Sequence, residues 1–555
     1  MDIARRTTDA PGLRSAPITD STSGGPSAST KRLTLVATIL GSSIAILDAS
    51  VVSVALPSIQ RSLGGGLAGQ QWVSNAYLLT LGSFILLGGS LGDIFGERRV
   101  FALGVAGFGV TSLLCAIAPS IGTLIAFRAL QGIAGALLTP SSLAVIIATF
   151  PAKERGPAIG AWTAWGTIAG ALGPLIAGLI LNVATWRWVF VINVPLVVAC
   201  LWLIRKAVPA TAPAGPRRRV DVIGALLCVL GLGGVVFALI EQPRLGWSSP
   251  AVTGSLTAGV VLFAAFLVFE SRAGDPMLRL DLFKSRNFAI GNLETLALYG
   301  GLSALVFFLT LYLQQVAGYS PLESGLALLP ESLVMFALSS RFGALADRFG
   351  PRVFMGGGPL IAGGGMLMLL GVGVHVDYAT EILPAILLFS LGLSMTVAPL
   401  TAAILAGVSE DEAGIGSAIN NAVARVSGLI ATVAIGALVA AQSSSSLDRH
   451  LSGVPLTPRG RAAVGEAKQI TFGRPSVVGV PPRQARAIVA ASEEASVDAF
   501  RWAIGIAGLL VIGGGVIGAV GIRDPRRAVA ARHCSGGQLA GAPLDAAGVH
   551  APAHA

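Results

Sequence analysis

Charge is scarce in this 555-residue chain. Asp, Glu, Lys and Arg together make 12% of it, against about 25% in a soluble globular chain. Apolar residues make 53%, and mean hydropathy is +0.76. So much apolar surface has to face lipid, and only helices or closed barrels satisfy their backbone there. Period-two alternation is missing from the apolar runs, which excludes a barrel. Lysine is scarcer still: there are five, none in a GxxxxGK[ST] pattern, so no ATP-binding loop is expected. The five His fall in predicted loops or tails, and no metal-ligand cluster or nucleophile–base pair stands out. The expectation is therefore no metal, no cofactor and no enzymatic activity. Cys115, Cys200 and Cys228 lie in apolar spans and Cys534 in a polar tail, which is not a disulfide framework.

What is abundant is apolar sequence in runs of helical length. A span of about 20 residues crosses the roughly 30 Å hydrocarbon layer. Fourteen such runs are expected: 33–59, 70–91, 99–118, 121–144, 157–181, 187–206, 221–240, 251–270, 288–316, 322–345, 353–372, 380–406, 413–441 and 502–521. The fold class is an all-α integral membrane protein. The net charge of +10 is carried by Arg in short loops, not along one soluble face, so it reads as topology and not as nucleic-acid binding. Arg98, Arg99, Lys153, Arg155, Arg205, Lys206, Lys284, Arg286, Arg348 and Arg352 fall on one side, with both termini. That side is assigned to the cytoplasm. Residues 1–32, rich in Ser, Thr, Gly, Ala and Pro, are expected to be a disordered cytoplasmic tail. Residues 522–555 form a second cytoplasmic tail. A polar loop, 442–501, separates the last two spans and is external by count; within it 483–500 reads as an amphipathic helix. Trp72, Trp186, Trp188, Trp247 and Trp502 sit near external span ends and read as an interfacial belt.

One pattern occurs twice. Gly89, Leu91, Asp93, Gly96 and Arg98 recur as Gly343, Leu345, Asp347, Gly350 and Arg352, an offset of 254 residues. Duplication at that distance inside an apolar chain means two related halves and suggests a transporter. The expected division is an N-terminal six-helix half at 33–206, a basic linker with two extra spans at 207–287, and a C-terminal six-helix half at 288–521. Gly89 and Gly343 allow close helix approach, and Gly96 and Gly350 permit helix-ending turns. The acids and arginines of these turns can lock a gate, retain topology, or do both.

Ionisable residues inside spans are costly and mark function or structural pairing. Asp48 lies about 15 positions into the first span, so about 22 Å from its start. Arg128 in the fourth span comes out at a similar depth, about 10 Å from the opposite face. Asp48 is a candidate proton site and Arg128 its candidate partner; a static ion pair is the competing reading. Gly166, Gly170, Gly173 and Gly178 around Pro174 give the fifth span a small-residue face with a bend. Glu294, Asn420, Asn421 and Arg425 are candidates for a substrate cavity. Glu294 reads as a contact for a cationic substrate or a second proton site, and Arg425 as a partner for an acid or for an anionic substrate group. Glu323 and Glu331 read as solvated.

Five further stretches carry a family resemblance: LDASVVSVALPSI (Leu47–Ile59), RALQG (Arg128–Gly132), GTIAGALGPLIAG (Gly166–Gly178), WRWVFVINVPL (Trp186–Leu196) and LYLQQVAGYSPLESG (Leu311–Gly325). With the two Gly–Asp–Gly–Arg loops they resemble the major facilitator superfamily, and within it the fourteen-span drug:proton antiporters. Two departures are Ala177 in place of the first glycine of the closing pair, and Ala169 in place of a leading glycine. The resemblance implies two six-helix halves about a central cavity, with two extra helices outside that core. It implies proton coupling through Asp48 and Arg128, a cytoplasmic gate at the repeated loops, and a leak-tight hinge in the fifth span. The function it implies is proton-coupled efflux of amphipathic or cationic compounds by alternating access, in a monomer whose partners are the bilayer, protons and small molecules. Export of an endogenous lipid or metabolite, and proton-independent facilitation, are the alternatives.

Overall fold

A computed structural model describes residues 27–209, 221–274, 276–409 and 412–523. Residues 1–26, residues 210–220 of the basic linker and residues 524–555, with Cys534, lie outside the described residues, as does the side chain of Asp93. Every regular element among the described residues is helical. The helices are α1 Ala28–Leu63, α2 Gly66–Phe95, α3 Glu97–Ala116, α4 Ile121–Thr149, α5 Ala152–Val183, α6 Trp188–Val191, α7 Asn193–Ala207, α8 Val222–Leu245 and α9 Pro250–Arg272. They continue as α10 Arg286–Gln315, α11 Pro321–Phe349, α12 Pro351–Met368, α13 Leu383–Leu405, α14 Ala413–His450, α15 Pro458–Ile470 and α16 Pro482–Gly521. Among the described residues fourteen segments are long and apolar enough to span a bilayer, with α6 and α7 together forming the sixth and α15 excluded. The described chain begins and ends on one face, here the terminal face; the opposite one is the distal face.

Local chemistry sets the ends of these helices. Ser120 caps α4 and Ser320 caps α11, each in a reciprocal pair with the residue three positions on, Thr123 and Glu323. Gly96 and Gly350 end α2 and α11 at φ values of 90° and 85°, a region that a Cβ disfavours. The duplicated turns then do the same job in each half. Arg98 donates to the Arg205 carbonyl at the end of α7 (3.2 Å), and Arg352 to the Ala519 carbonyl at the end of α16 (2.6 Å). Each repeated arginine therefore ties its turn to the last span of its own half.

In the first half α2 packs on α4, α3 on α4, and α1 on α5 and α7. In the second half α10 packs on α16 and α14, and α12 on α13 and α16. The halves meet where α5 crosses α11 and α2 crosses α14. The two extra spans, α8 and α9, pack on each other, and α8 touches α2 and α14 from outside.

The polar stretch 442–501 is not a loop. Helix α14 continues to His450, α15 occupies 458–470, and α16 runs unbroken for 40 residues. No proline interrupts 483–521, so the amphipathic segment and the last span form one rod of about 60 Å. The projecting ends of α14 and α16 hold α15 through a small core that includes Leu447, Leu451, Ala463, Ala467 and Ile488. The aromatic belt is also smaller than expected. Trp188, Trp247 and Trp502 are exposed, but Trp186 is buried against Phe190, and Trp72 donates to Glu241 (3.1 Å). Glu323 is exposed, whereas Glu331 is half-buried one full helical third into α11.

Candidate functional site

A cavity of about 1290 Å³ lies between the halves. Helices α1, α2, α4 and α5 line it on one side and α10 and α14 on the other. Its mouth is on the terminal face, where Gly89, Ser90, Glu97, Asp221, Glu270 and Asp281 reach it. At this mouth the Arg279 guanidinium donates to both Asp281 oxygens (2.9 and 2.6 Å) and holds that carboxyl below the usual carboxylate range.

The distal end is shut by backbone contact between α5 and α11. A Cβ on Gly178 would overlap the Leu322 backbone, and one on Gly325 would lie 2.5 Å from the Pro174 carbonyl oxygen. Glutamines close the rest. Gln71 donates to the Thr432 carbonyl (3.0 Å), Gln314 to the Val54 carbonyl (3.0 Å), and the Gln60 oxygen accepts from Gln70 (2.8 Å) and Gln315 (3.1 Å). Above them Phe472, buried between α15 and α16, packs on Phe308 of α10. The other small residues of α5 face α1: Gly166 and Gly170 would place a Cβ 3.1 and 3.3 Å from Ile46, and Gly173 lies tightly against Ser50. Gly166 also lines the cavity.

Asp48 and Arg128 are paired at 2.5 Å, with side chains 0% and 1% exposed. The carboxylate is fully served. Arg128 donates to Oδ2, while Gln131 (3.0 Å) and Asn193 (2.8 Å) donate to Oδ1. Ser112 accepts from both amides, at 2.8 and 3.1 Å. Arg128 also donates to Gln131 Oε1 (2.6 Å) and to the Val73 carbonyl (3.2 Å). Charge-assisted bonds of this kind offset part of the cost of burying the two groups. None of Asp48, Arg128, Gln131 and Asn193 lines the cavity. Tyr77 does, and its ring centre is 4.3 Å from the Arg128 guanidinium carbon.

Gln131, Asn193, Ser112 and Tyr77 were not legible as site residues. For two of them a signal is there to be read: Gln131 follows Arg128 by three positions on one helix face, and Asn193 is a lone amide in an apolar span. Of the candidate cavity residues, Asn421 and Arg425 line the cavity. Asn420 turns the other way and donates to Asn292 (3.2 Å) and Thr295 (2.8 Å) on α10. Glu294 is fully buried against Gly518 of α16, with neither oxygen hydrogen-bonded. It faces away because α10 presents that side to α16. Asp347 lies in the last turn of α11, and Gly343 is buried. Among the described residues no group of three or more His, Cys, Asp or Glu is placed to hold a metal.

The arrangement combines a large, mostly apolar compartment open to one face with a sealed charge network behind one of its walls. Comparison with known proteins places it. Residues 38–432 match the family model described as Major Facilitator Superfamily. The multidrug resistance protein Stp of Mycobacterium tuberculosis is 34% identical over 86% of this chain and 89% of that protein. A puromycin resistance protein of Streptomyces alboniger is 36% identical over 73% of this chain and 82% of its own. Among solved structures, a bacterial homolog of the human lysosomal transporter Spinster aligns with a TM-score of 0.58 at 16% identity, covering 90% of this chain and 100% of that one.

Proposed function

The chain belongs to the Major Facilitator Superfamily, and on that premise we propose that it is a proton-coupled multidrug exporter. The observation that carries this reading is the place of Tyr77 between two compartments. The cavity can take an amphipathic molecule of several hundred Å³, and Tyr77 stands between it and the Asp48–Arg128 pair. The resistance names of the two relatives support drug export, and the coupling rests on the Asp48–Arg128 pair. The terminal face is cytoplasmic by its excess of arginine and lysine in short loops, in the cytoplasmic membrane of a bacterium. Substrate then enters from the cytoplasm or inner leaflet and leaves when α5 and α11 part.

Asp48 carries the coupling proton. Protonation removes the anion that Arg128 and two amides hold, leaving a buried cation without its counter-charge. That state costs several kcal/mol and is relieved by a shift of α4 against α1, which moves Tyr77 and the cavity wall. Arg128 does not titrate in proteins, so it tunes Asp48 and carries no proton. The repeated turns, with Gly89, Asp93, Gly96 and Arg98 in one half and Asp347, Gly350 and Arg352 in the other, close the cytoplasmic mouth in the opposite state. Gly166, Gly170, Gly173, Pro174 and Gly178 form the hinge seam. The protein acts as a monomer and uses no ATP.

The test is transport in proteoliposomes under an imposed pH gradient, comparing the wild type with D48N. Gradient-driven movement that is lost in D48N supports the proposal. Movement indifferent to the gradient in both proteins leaves export by facilitation and removes the coupling.

A further inference from the structure

The cavity holds one charge at depth. Of its charged lining residues, Glu97 opens α3, Asp221 caps α8, Glu270 is in the last turn of α9, and Arg279, Asp281 and Lys284 lie between α9 and α10. All six belong to the mouth. Arg425 alone comes from the interior of a span, about 18 Å along α14 from its start. Its Nε is buried with no hydrogen-bond partner, and no carboxylate pairs with it among the described residues. Asp48 cannot serve it, because both Asp48 oxygens are taken by Arg128, Gln131 and Asn193.

Arg425 is held in place by packing. Its Cβ and the Val426 side chain lie against Gly82 of α2, at 3.8 Å from where a Cβ would sit, so its stem is anchored where α2 meets α14. Asn421, one turn earlier, and Tyr299 and Ser303 of α10 line the cavity with it. A guanidinium with a buried, unpartnered Nε on the wall of a cavity draws an anion, and its planar fork suits a carboxylate or a phenolate oxygen beside an aromatic body.

We propose that Arg425 selects the charge of the substrate, and that the preferred substrate is an organic anion, an aromatic or polycyclic body bearing a carboxylate or phenolate. This rests on the cavity being the export site. It changes the expected substrate from cationic to anionic, and it uses the acids at the mouth only as a rim. The empty-handed arginine is neutralised by the substrate itself, so the loaded cavity carries no net charge at depth.

Two dyes on one xanthene scaffold test it. Fluorescein is an anion near pH 7.4 and rhodamine 123 a cation. Binding of each to the full-length protein in nanodiscs is read by fluorescence anisotropy, for wild type, R425Q and R425K. Wild type should prefer fluorescein. R425Q should lose at least about tenfold of fluorescein affinity and keep or gain affinity for rhodamine 123, which also shows that the variant is folded. R425K should retain most of the preference. An unchanged fluorescein affinity in R425Q overturns the proposal, as does a wild type that prefers rhodamine 123 or binds neither dye. If R425Q does not fold, the wild-type preference decides. Export is scored separately, by uptake of either dye or of uncharged Nile red into energised inside-out vesicles. Uptake without charge preference keeps the exporter and removes the anion selectivity.

Discussion

The centre of the Tyr77 ring lies 4.3 Å from the Arg128 guanidinium carbon, and the same ring lines the central cavity. Tyr77 thus touches both the compartment where a substrate would sit and the cation that holds Asp48. Its hydroxyl reaches only the Ala45 carbonyl, at 3.5 Å, which is at the limit of a hydrogen bond. The ring matters more than the hydroxyl.

Removing the ring should therefore join the two compartments. Y77A is expected to admit water to the Asp48 network and to leak protons without substrate. Y77F should keep tight coupling. Proton flux into proteoliposomes, followed with a trapped pH-sensitive dye in the absence of substrate, separates the two. Equal flux in Y77A and wild type would remove Tyr77 as the partition.

The ion pair should show strong coupling in a double-mutant cycle. D48N leaves Arg128 buried without its anion and is expected to lower stability by about 3 kcal/mol or more. R128Q should be similarly costly, and D48N/R128Q should cost less than the sum of the two. Thermal unfolding of the purified variants in detergent measures this; additive losses would mean that the two side chains do not act as a pair.

Closure of the distal face depends on missing side chains at Gly178 and Gly325. A Cβ at either would meet the backbone of the facing helix. G178V and G325V should hold α5 and α11 apart and stop transport with normal amounts of protein in the membrane. Reaction of a cysteine placed in the distal part of the cavity with an impermeant thiol reagent should rise in both variants. Unchanged reaction would show that the seam is not the distal seal.

Phe472 extends that seal beyond the spans. It is 1% exposed and packs on Phe308, although it belongs to the segment between α15 and α16. F472A should lower stability by about 3 kcal/mol, as for other buried Phe to Ala changes, and should loosen α15. Hydrogen exchange over 458–473 would detect the loosening. Protection equal to wild type would mean that the aromatic contact does not hold the cap.

Much of this was written in the sequence. Fourteen apolar runs of the right length, without the alternation of a barrel, dictated fourteen helices long enough to span, because a bilayer satisfies the backbone only in helices or closed barrels. The Gly–Asp–Gly–Arg repeat announced two halves, and Gly96 and Gly350 end their helices at positive φ as that spacing requires. Depth counting along the helices put Asp48 and Arg128 at one level, where they meet.

Tertiary structure decided what depth counting cannot: which way each side chain turns. Glu294 and Asn420 lie on spans that border the cavity yet face neighbouring helices, while Arg425, on the same helix as Asn420, faces the open space. It also decided that Gln131 and Asn193 complete the Asp48 shell, and that 442–501 is a helical cap. Span membership follows from hydropathy, a property of the chain alone. Rotation about a helix axis follows from which neighbours pack against it, and several apolar faces are equally acceptable to lipid, so only the assembled bundle chooses among them.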